Sequence, residues 1–145
     1  MSIEGVKKFL EGDQSHFSRH IGLRITSYST EKIEGEITTG PEHSNRAGLM
    51  HGGAIMTMAD TLGGVGTTAN LPEGSATVTI ESKTNFFSGV PIGDTAHAEC
   101  TPLHRGRTTM VWQTRITRGD GKLAAIVTQT QLVIAPRERP TGGTR

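Results

Sequence analysis

Between Gly48 and Gly66 the apolar residues repeat with the period of a helix. Ile55, Met58, Ala59, Leu62 and Val65 fall at i, i+3, i+4, i+7 and i+10. The other positions there are mostly small or apolar, which predicts a helix buried nearly all round. It is expected to end near Ala69-Asn70, before the turn Leu71-Pro72-Glu73-Gly74. Elsewhere the period shortens to two. Leu23 and Ile25 alternate with polar neighbours over residues 22–29, and Ile33, Gly35 and Ile37 do the same soon after, so a hairpin is expected. From Ala76 to Phe87, Val78, Ile80, Ser82, Thr84 and Phe86 oppose Thr77, Thr79, Glu81, Lys83 and Asn85. Further strands are expected over residues 95–103, 107–118 and 122–134. Turns at Pro91-Ile92-Gly93-Asp94, His104-Arg105-Gly106 and Arg118-Gly119-Asp120-Gly121 separate them. A short amphipathic helix is expected over residues 3–11, with a second turn at Phe17 and Ile21. The tail from Pro136 is polar and expected to be disordered.

This order predicts an α+β fold. One long helix is covered by an antiparallel sheet, because nothing else in the chain is large enough to cover it. Residues 1–135 form one domain and 136–145 a tail. The chain has 145 residues, enough for one domain with a core. Its formal net charge is +1 and its basic residues are scattered, which speaks against a nucleic-acid partner. No apolar run approaches the ~18 residues of a membrane-spanning helix. The start of the chain lacks the continuous apolar run of a signal peptide. Cys100 is the single cysteine, so a reducing, cytoplasmic setting is expected.

The candidate chemistry lies in the central helix. His51-Gly52-Gly53 opens it, where backbone N–H groups lack intrahelical partners. Asp60 is a lone carboxylate in its middle. Gly52 and Asp60 are about 12 Å apart along the axis. An amide and a carboxylate acting on one reacting group must both come within about 3 Å of it. Two antiparallel copies could achieve this, each bringing Asp60 to the other's helix start. Gly63, Gly64 and Gly66 would let backbones approach closely. A homodimer with shared sites is therefore expected. His16 and His20 are spaced i, i+4 but lack the further ligands of a metal site, and no metal is expected. No phosphate-binding loop, His-Glu-x-x-His or Gly-x-Ser-x-Gly motif is present.

The pattern Asn45-x-x-Gly48-x-x-His51-Gly52-Gly53, with Asp60 nine residues after the histidine, resembles the hotdog-fold acyl-CoA thioesterases of the PaaI-like (phenylacetate-degradation) branch. The strand order agrees with that family over residues 15–135. The resemblance implies a homodimer with a continuous sheet, and dimers paired into tetramers. It implies a Gly52 amide that polarises the thioester carbonyl, with Asn45 holding that carbonyl or the attacking water. His51 supports the loop and the sulfur side. Asp60 of the partner chain is nucleophile or general base, and Thr79 orients the water. Some branches place Ser or Thr one turn after the acid, where this chain has Gly64. No cofactor is implied, since coenzyme A is part of the substrate. Its phosphates suit Arg105-Gly106-Arg107, because a guanidinium can bond two oxygens at once. Ser88-Gly89 is a candidate for the pantetheine path.

Three functions compete. The leading one is hydrolysis of an acyl-CoA thioester to a free acid and coenzyme A. The second is enoyl-CoA hydration or dehydration on the same fold, though the loop motifs usual in those families are missing. The third is a non-catalytic acyl-CoA binding protein. Met50, Met56, Phe86 and Phe87 are candidate walls for the acyl group.

Overall fold

The computed structural model describes residues 15–136. The helix expected over residues 3–11, and the tail beyond residue 136, lie outside the described residues. A short helix α1 (His16–His20) precedes strands β1 (Arg24–Tyr28) and β2 (Ile33–Thr38). The long helix α2 (Gly52–Asn70) follows. Strands β3 (Ala76–Phe86), β4 (Thr95–Arg105), β5 (Thr109–Thr117) and β6 (Leu123–Ile134) complete the chain. All six strands join one sheet in the order β1-β2-β4-β5-β6-β3, with every neighbour antiparallel. The sheet curls around α2, as the strand order predicts.

The core is the seam between sheet and helix. Ile55, Met58, Ala59, Leu62 and Val65 of α2 are buried against Ile33, Ile37, Ala96, Trp112 and Ile116. Trp112 is fully buried, and its Nε1–H donates to Thr67 Oγ1 at 2.8 Å. A buried indole N–H needs such a partner, and this bond locks the ring against one side of the helix. Cys100 sits among the alanines of β4 as a small core residue, as its alternation predicts.

Three expectations are corrected. First, α2 is not buried all round. The sheet covers one face only, and Met56 and Asp60 on the other face are exposed. A single sheet wraps roughly half of a helix, so the rest stays open in one chain. Second, Gly63 and Gly66 do not serve a chain-to-chain contact. A Cβ on Gly63 would lie 2.4 Å from the Gln129 amide, and one on Gly66 would lie 2.9 Å from the Trp112 ring. Both glycines make room for the chain's own sheet, and only Gly64 faces open space. Third, β3 does not alternate evenly.

The irregularity in β3 decides the site. Thr79 pairs with Gln131, but Glu81 pairs with Thr130, so Ile80 is an extra residue in the strand. A one-residue bulge exchanges the faces of everything beyond it. Thr77 and Thr79 face the helix before the bulge, and Ser82, Thr84 and Phe86 face it afterwards. A strictly period-two strand would have put Thr79 and Phe86 on opposite faces. β3 is also an edge strand, and Val78, Ile80 and Phe86 on it are about half exposed.

Candidate active site

The loop before α2 is built by Asn45. Its Oδ1 accepts the N–H groups of Ala47 at 2.8 Å and Leu49 at 3.1 Å. Its own N–H donates to the Leu49 carbonyl at 2.8 Å. This Asx-type closure commits the side-chain carbonyl to the loop. The amide nitrogen has no partner among the described residues and is left to donate elsewhere. His51 then caps the helix: its Nδ1 accepts from Gly53 N–H at 2.8 Å. An imidazole that accepts at Nδ1 carries its proton on Nε2. His51 is exposed and lines the outside of the loop beside Ser44 and Arg46. The Gly52 amide has no acceptor among the described residues, so it is one of the free donors that a helix start exposes.

Gly52 and Asn45 open into one cleft of about 380 Å³. Met50, Phe86, Phe87, Ser88 and Gly89 also line it. The Phe86 ring lies 3.1 Å from where a Gly52 Cβ would stand, so a side chain there would be pressed against the ring. Ser88-Gly89 is thus brought to the helix start. Ser88 itself is tied down, donating from Oγ to the Leu123 carbonyl at 2.7 Å.

Asp60 belongs to a second cavity. Its Oδ1 accepts from Thr79 Oγ1 at 2.8 Å. Gln131, buried on β6, donates from Nε2 to Thr79 Oγ1 at 2.7 Å. Leu23, Ile25, Val65, Val78 and Gly64 help enclose about 250 Å³ beside the carboxylate. Phe17, Met56 and Ser82 line an adjoining surface on its other side. Sequence reasoning missed Gln131 and Gln129. Their signal was present: both are polar residues at core-facing positions of a strand whose other inward residues are Ala125 and Val127.

The structure therefore gathers the proposed residues into two groups in one chain. Asn45, Gly52, Ser88 and Gly89 share one cleft, while Asp60 and Thr79 share another. Arg105-Gly106-Arg107 belongs to neither. Arg105 forks onto Glu31, with Nη1–Oε1 at 2.6 Å and Nη2–Oε2 at 3.1 Å. It also donates to Asn70 Oδ1 at 3.3 Å, at the far end of α2 from Gly52. Arg107 is exposed, with no ion pair among the described residues. No group of three or more possible metal ligands occurs among the described residues. None of their helices is long and apolar enough to cross a membrane.

A six-stranded antiparallel sheet around one long helix, with a free amide at the helix start and a carboxylate two turns on, is the hotdog architecture of thioester hydrolases. Residues 47–125 match the model of the thioesterase superfamily, which is more than half of the chain, and the chain belongs to that family. A thioesterase of Haemophilus influenzae is similar in structure, with a TM-score of 0.84 and 25% identity, covering 93% of this chain and 94% of that one. The PaaI protein of the Escherichia coli phenylacetic acid degradation operon shares the fold, with a TM-score of 0.82 and 22% identity over 92% and 93% of the two chains. A protein of Streptococcus mutans solved with acetyl-CoA bound has a TM-score of 0.73 and 26% identity over 80% of this chain and 91% of that one.

Proposed function

We propose that the protein hydrolyses acyl-CoA thioesters in a homodimer whose two sites are each completed by both chains. The observation that carries this reading is the separation within one chain. The free Gly52 amide and Asp60 line different clefts of one chain, about 12 Å apart along the axis of α2. A second, antiparallel copy brings the Asp60 cavity of one chain onto the Gly52 cleft of the other. The free edge of β3 and its exposed Val78 and Ile80 give that copy a surface to pair with. Pairing would also bury Asp60, which one chain leaves exposed. Dimers then associate into tetramers. The acyl-CoA bound in the streptococcal relative supports coenzyme A as the carrier. The lone, buried Cys100 suits a reducing compartment, and we place the enzyme in the cytoplasm.

In this site the thioester carbonyl points at the Gly52 N–H. The helix start stabilises the oxyanion that forms on attack. Such a donor contributes about 3 kcal/mol to the transition state. Asn45 adds its free amide N–H to the carbonyl or the water. Asp60 acts through the oxygen that Thr79 does not hold. As a general base it takes the proton of an attacking water; as a nucleophile it forms an acyl-carboxylate anhydride that water then opens. In either route the carbon–sulfur bond breaks, the acid leaves, and coenzyme A departs as the thiol. His51 supports the site from outside the cleft, holding the helix start through the Gly53 N–H that its Nδ1 accepts. Ser88-Gly89 flanks the pantetheine arm, and Arg107 takes the nucleotide phosphates, while Arg105 stays on Glu31. Phe86, Phe87, Met50 and Met56 wall the acyl group.

The test is thiol release from a panel of aromatic, short-chain and medium-chain acyl-CoA thioesters, with native protein and Asp60→Asn. Release by the native protein alone is the expected result. Equal release by Asp60→Asn would refute the assignment. Binding without release would identify an acyl-CoA binding protein, and water addition to an enoyl-CoA without thiol release would identify a hydratase.

A further inference from the structure

The Asp60 carboxylate stands at the end of a chain of side chains that reaches into the sheet. Thr77 Oγ1 donates to Gln131 Oε1 at 3.0 Å. Gln131 Nε2 donates to Thr79 Oγ1 at 2.7 Å, and Thr79 donates to Asp60 Oδ1 at 2.8 Å. The direction follows from the Asp60 end. An ionised carboxylate can only accept, so the single Thr79 proton goes to Asp60. Thr79 must then accept from Gln131, which turns the Gln131 amide nitrogen toward it and the Gln131 carbonyl toward Thr77. Gln131 is 1% exposed, so no water competes for its amide.

We infer that Gln131 is a positioning residue for hydrolysis: through Thr79 it holds Asp60 Oδ1 in place and leaves Oδ2 to act on the water or the thioester. A hydroxyl by itself rotates freely and can donate in several directions. A donor at its back occupies its lone pair and removes that freedom. Chains of this kind also polarise one another, so the last bond is stronger than an isolated one. The bulge at Ile80 is what turns Thr79 toward both Asp60 and Gln131. Gln131 reaches Asp60 only through Thr79. Its loss should therefore be felt only while Thr79 is present. This inference rests on the proposed role of Asp60.

The experiment is a double-mutant cycle in the full-length protein. Gln131→Met keeps the size and apolar stem and removes the amide. Thr79→Val removes the hydroxyl and keeps the shape. Acyl-CoA hydrolysis is measured for both, for the double variant and for Asp60→Asn. Unfolding followed by Trp112 fluorescence checks that each variant is folded. Thr79→Val is expected to lower kcat by about 10- to 100-fold, the worth of a hydrogen bond to a charged group. Gln131→Met is expected to lower kcat about 10-fold with KM within two-fold of native, again by the worth of a hydrogen bond. The double variant should be no slower than Thr79→Val. Full kcat in a folded Gln131→Met overturns the inference, as do losses that multiply in the double variant. A change confined to KM, and varying with the acyl group, also overturns it, since Gln131 would then be a pocket wall. Full activity in Asp60→Asn is a separate failure, that of the proposed function itself.

Discussion

Gly66→Ala should destabilise the protein, although alanine is the better helix former. A Cβ on Gly66 would stand 2.9 Å from Trp112 Cη2 and Cζ3 and 3.0 Å from Cζ2. Carbon atoms in contact sit about 3.5–4.0 Å apart, so three ring atoms are about 0.6 Å too close. The ring cannot simply retreat: it is fully buried, and its Nε1–H is held by Thr67, the residue after the glycine. Overpacking of this kind costs about 2 kcal/mol. Losing the Trp112–Thr67 bond would add about 1 kcal/mol. Replacing a mid-helix glycine returns about 1 kcal/mol. The expected loss is about 2 kcal/mol, a fall of about 1 M in the urea midpoint for a slope near 2 kcal/mol per M. Trp112 is the only tryptophan, so its fluorescence reports the transition directly. Trp112→Phe removes the outer ring atoms that the new methyl meets. In that background, followed by circular dichroism, Gly66→Ala should cost much less. An unchanged or higher midpoint for Gly66→Ala, or equal costs in both backgrounds, would refute the reasoning.

Arg107→Ala should raise KM for acyl-CoA by about 5- to 10-fold, on the order of 1 kcal/mol of phosphate contact, and leave KM unchanged for an acyl-N-acetylcysteamine thioester, which carries no phosphate; a parallel rise for both substrates would remove Arg107 from the nucleotide end. Arg105→Ala breaks the partly exposed pair with Glu31 and should cost no more than about 1 kcal/mol of stability in urea unfolding. Burial pushes the Cys100 thiol up from 9.0 to about 11, opposed by the weaker effect of the neighbouring Thr114 hydroxyl. The unfolded chain therefore ionises first. The stability contributed by the neutral thiol is complete below pH 9 and declines toward pH 11, at about 1.4 kcal/mol per pH unit. Cys100→Ala should remove this component from urea unfolding measured between pH 8.5 and 10.5, and an identical slope in both proteins would count against it.

Much of the fold was legible because its signals are local. The helical repeat from Ile55 to Val65, the end at Asn70 and the turns at Gly93 and Gly121 depend on neighbours within a few residues. Asn45, His51, Gly52 and Asp60 stand out as candidates for the same reason, since their spacing falls in one loop and one helix. The bulge at Ile80 was not legible, because its cause is the register of β3 on β6, more than forty residues away. Val78, Ile80 and Phe86 keep one phase of period two across the strand, so the apolar pattern does not mark the extra residue.

What the sequence alone determined is therefore the kind of each element, their order, and the chemical groups carried by the central helix. Tertiary structure decided which groups meet. Pairing with β6 turned Thr79 onto Asp60 and Phe86 onto Gly52. It set Gln131 behind Thr79 and pressed Gly63 and Gly66 against their own sheet. The physical reason is that periodicity states which side of an element is apolar, whereas contact between side chains depends on register. Register is a property of two strands at once.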